Sequence, residues 1–236
     1  MLQFFGRGSG FSAEHTNAFF FDGSDLVIVD FSMTSFVKLM KTDINSLSDS
    51  EKAEHIYIIV THTHGDHISG IPMLVFYCSF VLNIPVTIAM PSEETMKDML
   101  YVMRNVEGCS DDCYDIVLSS SLKKWVKAVI PTKHTEDLSG KCFGYQLCVN
   151  GTDIVYTGDT NTLEPYKPYI DNSSILYTEI SFNKTDVHLS IDDNLEYLKS
   201  LSESGKAVYV MHIDNETEIA KKLEGTLIRP VPVKAL

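Results

Sequence analysis

A dense cluster of metal-capable side chains constrains this chain more than any other feature. Segment 61–67 reads Thr-His-Thr-His-Gly-Asp-His and directly follows an apolar run at 56–60. A short apolar run of this kind is typical of a buried strand, so the cluster lies where a strand ends and a loop begins. Side chains two positions apart on an extended segment point the same way, so His62 and His64 can bind one cation together.

The second half of the cluster can face a second cation. Gly65 allows the chain to turn, after which Asp66 and His67 can be directed at a point close to the first ion. Imidazole and carboxylate together form a ligand set that suits zinc or a similar first-row ion. The alternative is a group of solvated loop histidines. It is disfavoured because four ligand-capable residues fall within six positions beside a strand end.

This cluster resembles the His-x-His-x-Asp-His signature of the metallo-β-lactamase superfamily, and further landmarks of that family follow in order. His134 lies in Lys-His-Thr, Asp159 follows the strand-like run 154–156, and His212 follows the apolar run 208–211. The resemblance implies a four-layer αβ/βα sandwich of the α/β class and a single metal-dependent hydrolase domain over residues 1–236. It also implies seven ligands: His62, His64 and His134 for the first metal, Asp66, His67 and His212 for the second, and Asp159 shared by both.

Two further segments resemble the branch that contains ribonuclease Z and the class II cyclic-nucleotide phosphodiesterases. One is the glycine-rich opening at 5–11, and the other pairs Tyr-Thr-Glu-Ile at 177–180 with Val-His-Leu-Ser at 187–190. In ribonuclease Z a glutamate and a histidine outside the ligand set occupy similar positions. The resemblance therefore implies that Glu179 orients His188 as a general acid. The alternative for His188 is a surface histidine at the start of the following helix.

The length of the interval between His134 and Asp159 distinguishes ribonuclease Z from the cyclic-nucleotide phosphodiesterases of that branch. Ribonuclease Z carries there a long glycine- and proline-rich arm that docks transfer RNA, whereas here only residues 135–158 intervene, 24 in number. A hairpin around Asn150-Gly151 fills most of this interval, since Asn-Gly is a favoured hairpin turn. The chain has 19 basic and 32 acidic residues and a net charge of -13, which disfavours binding to a long polyphosphate chain. A small-molecule phosphodiester is therefore favoured over nucleic acid as the partner.

Two neighbouring cations support phosphodiester hydrolysis. Metals about 3.5 to 4 Å apart can stabilise attacking and leaving oxygens and lower the pKa of a bridging water toward neutrality. Asp66 would help to hold the bridging hydroxide, and His188 would protonate the leaving oxygen. We therefore expect a dinuclear phosphodiesterase that uses two divalent ions, zinc or alternatively manganese. The expected substrate is a cyclic nucleotide, for example one used in immune or other signalling.

Three alternative functions stay open. The first is a ribonuclease Z-like endoribonuclease that lacks the arm. The second is a lactone or thioester hydrolase, because a metal-activated hydroxide also attacks acyl carbons. The third is a binding or scaffold protein that kept the metals and lost catalysis, which the intact ligand set disfavours.

Length and composition indicate the number of domains and the cellular location. The chain has 236 residues, of which 44% are apolar, and this is the size of one domain. The N-terminus lacks the basic region and apolar stretch of an export signal, and five cysteines suit a reducing compartment, so we expect a cytoplasmic protein. The longest apolar stretch, 68–90, is broken by glycine and proline, which predicts a helix and a strand and no membrane span. The resemblance adds a homodimer as the expected assembly.

Periodicity predicts alternating strands and helices. The predicted strands are 18–21, 26–29, 56–60, 86–89, 128–130, 145–149, 154–156, 175–178 and 207–211, and the predicted helices are 36–45, 67–82, 92–105 and 191–202. Asp30 is the candidate for a hydrogen bond around the metal-binding loop 61–67. His15 could line the pocket, because it precedes a strand near the expected active face, but a solvated loop residue is the favoured interpretation. Phe76, Tyr77 and Phe80 could stack on a nucleobase, but their helical spacing is more typical of core residues.

Overall fold

Two six-stranded β-sheets form the centre of the computed structural model, which describes residues 1–48 and 50–235. The first sheet contains, in chain order, β1 (Gln3–Gly6), β2 (Asn17–Asp22), β3 (Asp25–Val29), β4 (His55–Ile59), β5 (Val86–Met90) and β6 (Asp115–Leu118). The second contains β7 (Val126–Pro131), β8 (Phe143–Val149), β9 (Thr152–Tyr156), β10 (Ile175–Glu179), β11 (Ala207–Met211) and β12 (Arg229–Pro230). The first two strands of each sheet pair antiparallel, and the other four, β3 to β6 and β9 to β12, run parallel.

Helices cover the outer faces of both sheets. They are α1 (Met33–Lys41), α2 (Gly65–Ile68), α3 (Ile71–Tyr77), α4 (Glu93–Tyr101), α5 (Lys167–Ile170), α6 (Ile191–Glu203) and α7 (Glu216–Leu223). π-helical turns at Cys78–Leu82 and Val102–Val106 extend α3 and α4. Short 3-10 turns lie at Ile44–Leu47, Asp111–Cys113, Ser119–Ser121, Glu136–Leu138 and Glu164–Tyr166.

Three apolar clusters join these layers. The inner faces of the two sheets meet in a central cluster, which joins Phe20 and Ile59 of the first sheet to Tyr156 and Met211 of the second. A second cluster lies between the first sheet and helices α1, α3 and α4, and a third between the second sheet and helices α5, α6 and α7. Each sheet contributes side chains to two clusters, because successive side chains of a strand point to opposite faces of the sheet. This order of layers confirms the predicted αβ/βα sandwich.

The predicted strands agree closely with the structure. All nine are present, and their ends differ from the prediction by at most two residues. The hairpin between β8 and β9 turns at Asn150 and Gly151, whose φ angles of 50° and 80° are those of the tight turn that Asn-Gly favours. Residues 135–158 therefore contain this hairpin and no long arm. The sequence pattern does not predict β1, β6, β12, α5 or α7.

The predicted helices differ more at their ends. Helix α1 begins at Met33, because Ser32 caps it by accepting a hydrogen bond from the backbone N–H of Ser35. The helix predicted at 67–82 is divided at Gly70, where a Cβ would lie 2.2 Å from the carbonyl oxygen of Ser32. The division separates a short helix that carries metal-capable residues from a core helix.

One helical run could cross a membrane by length and composition alone. It covers Gly65–Leu82, has a mean hydropathy of 1.3, and 44% of it is buried inside the fold. Core helices commonly pass the same test, and α3 in this run packs its apolar side chains against the first sheet.

Candidate metal centre

Strand ends of both sheets converge on one site. Loop 61–67 follows β4, Asp159 follows β9 through Gly158, and His212 follows β11. Open α/β sheets place ligand sites beyond the carboxyl ends of their parallel strands, and here both sheets contribute. Gly158 has φ +59°, and a Cβ there would lie 2.7 Å from the carbonyl oxygen of Phe143, so the turn requires glycine. His212 also adopts a left-handed conformation, with φ 52°, which costs on the order of 1 kcal/mol and is typical of functional sites.

The first ligand group contains His62, His64, His134 and Asp159, whose ligand atoms all lie within 4.8 Å of one another. His62 Nε2 lies 3.0 Å from His64 Nδ1, which lies 3.2 Å from His134 Nε2. Asp159 Oδ2 is 3.9 Å from His62 Nε2 and 3.7 Å from His134 Nε2. The structure thus brings together the three histidines assigned to the first metal and the carboxylate assigned to both.

The second ligand group contains Asp66, His67, His212 and again Asp159, within the same 4.8 Å. Asp66 Oδ2 lies 3.3 Å from His67 Nε2 and 3.2 Å from His212 Nε2. Asp159 Oδ1 lies 3.4 Å from His67 Nε2, and its Oδ2 lies 3.3 Å from His212 Nε2 while also facing the first group. Asp159 therefore occupies the position between the two groups.

The spacing and chemistry of both groups fit divalent cations. A tetrahedral ion with nitrogen ligands at about 2.0–2.1 Å holds those ligands roughly 3.3 Å apart. Neighbouring ligand atoms lie 3.0–3.4 Å apart, except that Asp159 Oδ2 lies 3.7 and 3.9 Å from the histidine nitrogens of the first group. His67 Nε2 is buried without a hydrogen-bond partner among the described residues, as expected of a nitrogen directed at a metal position. Imidazole and carboxylate donors suit zinc and neighbouring first-row ions.

Hydrogen bonds to residues outside the two ligand groups determine which ring nitrogens of His67 and His134 are available as ligands. His67 Nδ1 donates to Asp30 Oδ2 at 2.8 Å, and His134 Nδ1 donates to the carbonyl oxygen of Val187 at 2.7 Å. Because these oxygens accept, Nδ1 carries the proton and Nε2 is left for a metal. Buried Asp30 also accepts from the backbone N–H and the hydroxyl of Thr61, each at 2.8 Å. Asp30 therefore supports the metal loop at the place where the sequence predicts it.

The charges around the site favour cation binding. Burial lowers the pKa of His62 well below its usual value, so its imidazole is neutral and can act as a ligand. Burial would also lower the pKa of His67, but the carboxylates of Asp159, Asp30 and Asp66 outweigh it and raise that pKa. A local excess of carboxylate charge therefore surrounds the second group. A divalent cation can neutralise it with release of protons.

His188 lies over both ligand groups, with its ring centroid 4.9 Å from His134 and 5.1 Å from His212. Its Nδ1 donates to Oε2 of buried Glu179 at 2.9 Å, and Glu179 Oε1 accepts from the backbone N–H of Thr160. Burial alone would lower the pKa of His188, but the hydrogen bond and charge of Glu179 outweigh it and raise that pKa to about 9. Only 25% of the His188 side chain is exposed, which argues against a surface role. The pair has the arrangement that a general acid requires.

A cavity of about 780 Å³ opens above the two ligand groups. Its rim includes Ser9, Gly10 and Phe11 of the N-terminal loop, together with Asn183 and Thr185 of the segment after β10. The volume is that of a typical small-molecule site. Among the described residues that line the cavity there is no lysine or arginine. Apart from histidines, the described lining therefore offers no cationic side chain to the further phosphates of a polyanion.

Sequence reasoning misses residues that position the ligand loops. Asn17 Nδ2 donates to the carbonyl oxygen of Asp66 at 3.1 Å, and its Oδ1 accepts from the backbone N–H of Ser32 at 3.0 Å. Thr16 Oγ1 accepts from the backbone N–H of His212 at 2.8 Å. The sole sequence signal for these two residues is their place between the glycine-rich opening and the apolar run of β2.

Two further interpretations from the sequence have different outcomes. Of the two interpretations of His15, the favoured one, a solvated loop residue, is wrong. A bridge to Gly8 folds the loop back, and His15 lines the cavity with its Nδ1 buried. Phe76 and Tyr77 pack against the core of the first sheet, as their spacing predicts. Phe80 is exposed, and none of these three aromatic residues lines the cavity.

Comparison of sequences identifies related proteins. A profile of the family described as "Anti-Pycsar protein Apyc1" matches residues 1–228 of this chain. A protein of that name from Bacillus phage BSP38 is 26% identical over 239 aligned positions, which cover 92% of this chain and 90% of the relative. Another, from Bacillus phage 010DV004, is 25% identical over 182 positions, which cover 68% of this chain and 69% of the relative.

Solved structures of low sequence identity share the fold. The metallo-β-lactamase fold protein YhfI from Bacillus subtilis matches with a TM-score of 0.73 at 16% identity, covering 100% of this chain and 97% of its own. The short form of human tRNase Z matches with a TM-score of 0.65 at 14% identity, again covering 100% and 97%. These likenesses confirm the metallo-β-lactamase fold that the sequence motifs resemble.

Proposed function

This chain, a metal-dependent hydrolase, belongs to the family of the anti-Pycsar protein Apyc1, and on that basis we propose that it is a dinuclear phosphodiesterase that opens a cyclic nucleotide. The observation that carries the proposal is the placement of Asp159 between two ligand groups, with His188 close to both groups and lining the same cavity. The phage origin of two relatives with that name agrees with an immune or signalling cyclic nucleotide as the substrate.

The seven ligands divide between two divalent cations, zinc or alternatively manganese. His62, His64 and His134 would hold the first, Asp66, His67 and His212 would hold the second, and Asp159 would be shared by both. When bound, the two ions would supply Lewis acidity to the phosphoryl group and make a water acidic enough to attack it near neutral pH. Asp66, whose pKa the neighbouring histidines hold far below its usual range despite burial, remains an ionised acceptor that orients the attacking water.

His188 completes the reaction from the open side of the cavity. Water gives up a proton to solvent as its oxygen bonds to phosphorus, the bond from phosphorus to the ribose oxygen breaks, and His188 Nε2 gives its proton to that oxygen. Glu179 keeps the imidazole oriented and protonated through the bond to Nδ1. The products are a nucleoside monophosphate and a neutral His188 that regains a proton from solvent.

The absence of lysine and arginine from the described cavity lining favours a substrate with a single phosphodiester. The net charge of -13 also disfavours an RNA strand, because its additional phosphates would be repelled by the overall charge of the chain. A homodimer, a cytoplasmic location and a single domain over residues 1–236 stay predictions of the sequence.

A substrate panel tests the proposal. The protein loaded with zinc or manganese is incubated with 3′,5′- and 2′,3′-cyclic nucleotides, a precursor transfer RNA and a lactone, with and without a chelator. We expect a cyclic nucleotide to be opened, with activity lost on chelation and in Asp66→Ala but retained in Asp112→Ala, a matched change of an exposed aspartate. Cleavage of the transfer RNA or the lactone alone would overturn the proposal in favour of an alternative.

A further inference from the structure

We infer that the cavity contains a nucleobase subsite formed by two residues outside the metal centre. The ring of Phe11 stacks on the face of the base, and Asn183 Oδ1 accepts a hydrogen bond from its edge. Both residues line the cavity above the ligand groups. The inference rests on the proposed function, because a nucleobase subsite has a role only if the phosphodiester belongs to a nucleotide.

Phe11 presents an aromatic ring that nothing in the described fold covers. Its relative exposure is 108%, although a phenylalanine normally gains stability from burial. The base of its loop is anchored, since the backbone N–H of Gly8 donates to Glu14 and that of Thr16 donates to Gly8, each at 2.9 Å. The loop that carries the ring is therefore anchored beside the cavity, whose lining includes Phe11. Stacking on an aromatic ring tolerates any base because every base has a π-face.

The Phe11 loop is joined directly to the segment that positions Asn183. The backbone N–H of Ser9 donates to the carbonyl oxygen of Ile213 at 3.1 Å. The next residue, Asp214, accepts from the Asn183 backbone N–H at 3.0 Å and from Asn183 Nδ2 at 2.8 Å. Phe11 and Asn183 therefore belong to one connected side of the rim.

Asp214 determines which end of the Asn183 amide is available. Its carboxylate also accepts from the hydroxyl of Ser181 at 2.8 Å and from the backbone N–H of Phe182 at 2.7 Å. An ionised carboxylate only accepts, so Asn183 must direct its NH₂ group at Asp214. Asn183 Oδ1 is then turned away, and it receives no hydrogen bond from the described residues. It is an acceptor of fixed orientation at the rim of the cavity.

An acceptor at this place selects for bases that carry an N–H donor on their edge. Adenine and cytosine offer an exocyclic amine, and guanine and uracil offer a ring N–H, so each natural base can bind. A base whose amine is dimethylated has lost its donor and should bind less well. We therefore expect the subsite to accept every natural base and to discriminate against bases whose exocyclic amine is dimethylated.

Stacking is tested with Phe11→Ala and the matched variant Phe80→Ala, which removes an exposed phenylalanine that does not line the cavity. Kd values for a phosphorothioate cyclic nucleotide and for the cyclic phosphate of an abasic ribose are measured by calorimetry on the metal-loaded proteins. We expect Phe11→Ala to reduce the preference for the nucleotide over the abasic probe by about 5- to 150-fold. Phe80→Ala should keep the wild-type preference. An unchanged preference in Phe11→Ala, or an equal loss for both probes, would overturn the stacking role.

The edge contact is tested with adenosine and cytidine cyclic phosphates and their N,N-dimethylated counterparts. Wild type should favour the unmodified base by about 2- to 12-fold in Kd and in kcat/KM. Asn183→Ala should lose this preference, and the matched exposed variant Asn172→Ala should retain it. The contact is refuted if Asn183→Ala discriminates as wild type does. Failure of wild type to open any cyclic nucleotide is a separate result, visible before any variant is made, and it would refute the proposed function.

Discussion

The variant Glu179→Gln removes the charge beside His188 while keeping the shape of the side chain. In the native protein Glu179 Oε2 accepts from His188 Nδ1 at 2.9 Å. Burial opposes protonation of His188, but the hydrogen bond and charge of Glu179, with smaller contributions from Asp159 and Asp66, raise its pKa from 6.5 to about 9. A glutamine amide supplies no such charge, so the pKa returns toward 6.5. Because the raised pKa keeps His188 protonated up to about pH 9, the variant should lose the acid form at much lower pH.

The size of the effect follows from the two protonated fractions. At pH 8 roughly 90% of His188 is protonated with a pKa near 9, but only roughly 3% with a pKa near 6.5. We expect kcat/KM of the variant to be about 30-fold lower at pH 8 and within about 1.5-fold of wild type at pH 6. Bound cations would lower the pKa in both proteins alike, so the alkaline limbs should stay separated by about 2.5 pH units.

The assay is a profile of kcat/KM against pH for the metal-loaded proteins with a cyclic nucleotide. The exposed variant Glu224→Gln is the matched control and should follow wild type. A nitrophenyl phosphodiester has a leaving group that needs no proton, so the variant should cleave it nearly as well as wild type does. Equal loss of activity at pH 6 and pH 8, or an equal loss with the nitrophenyl ester, would show that Glu179 does not act by keeping His188 protonated.

Three further variants test other parts of the structure. Asp30→Asn weakens the acceptor of the His67 Nδ1–H, so metal affinity should fall about 10- to 100-fold in competition with a chelating dye, and unchanged affinity would contradict the role of Asp30. Gly10→Ala places a Cβ 3.1 Å from Asp66 Oδ2. The metal content should then fall below two ions per chain by mass spectrometry with little change in Tm, whereas full occupancy would show that the carboxylate moves freely. Leu198→Ala empties a fully buried position on α6 and should reduce stability by about 2–5 kcal/mol, which lowers Tm by about 4–20 °C in thermal unfolding, and an unchanged Tm would contradict the packing described for that helix.

Much of the candidate site could be predicted because its residues are tied to strand ends. The cluster at 61–67, Asp159 and His212 each follow an apolar run, and the carboxyl ends of parallel strands lie at one edge of a sheet. Glu179 ends β10 in the same way. Strands of this kind are recognisable because their residues are buried on both faces and read as nearly continuous apolar runs.

The positioning residues lack any such pattern. Asn17 donates to the backbone carbonyl of Asp66 across 49 positions of sequence, and Asp214 accepts from the backbone N–H of Asn183 across 31. A bond to a backbone group requires no particular partner side chain, so no matching residue type appears at the other end. Strand β6 is missed for a related reason. It is a short edge strand that begins with Asp115, and its pairing with β5 provides the stability that its sequence does not announce.

The scarcity of protein cations around the cavity makes ligand binding and metal binding one coupled equilibrium. Besides histidines, the described lining has no basic side chain to meet an anion, so bound metal ions would neutralise it together with His188. If the ions increase the affinity for an anionic ligand by some factor, the ligand must increase the affinity for the ions by the same factor. A protein with substrate or product in place should therefore resist a chelator that strips the free protein. In surroundings poor in metal, turnover itself would then help to keep the centre loaded.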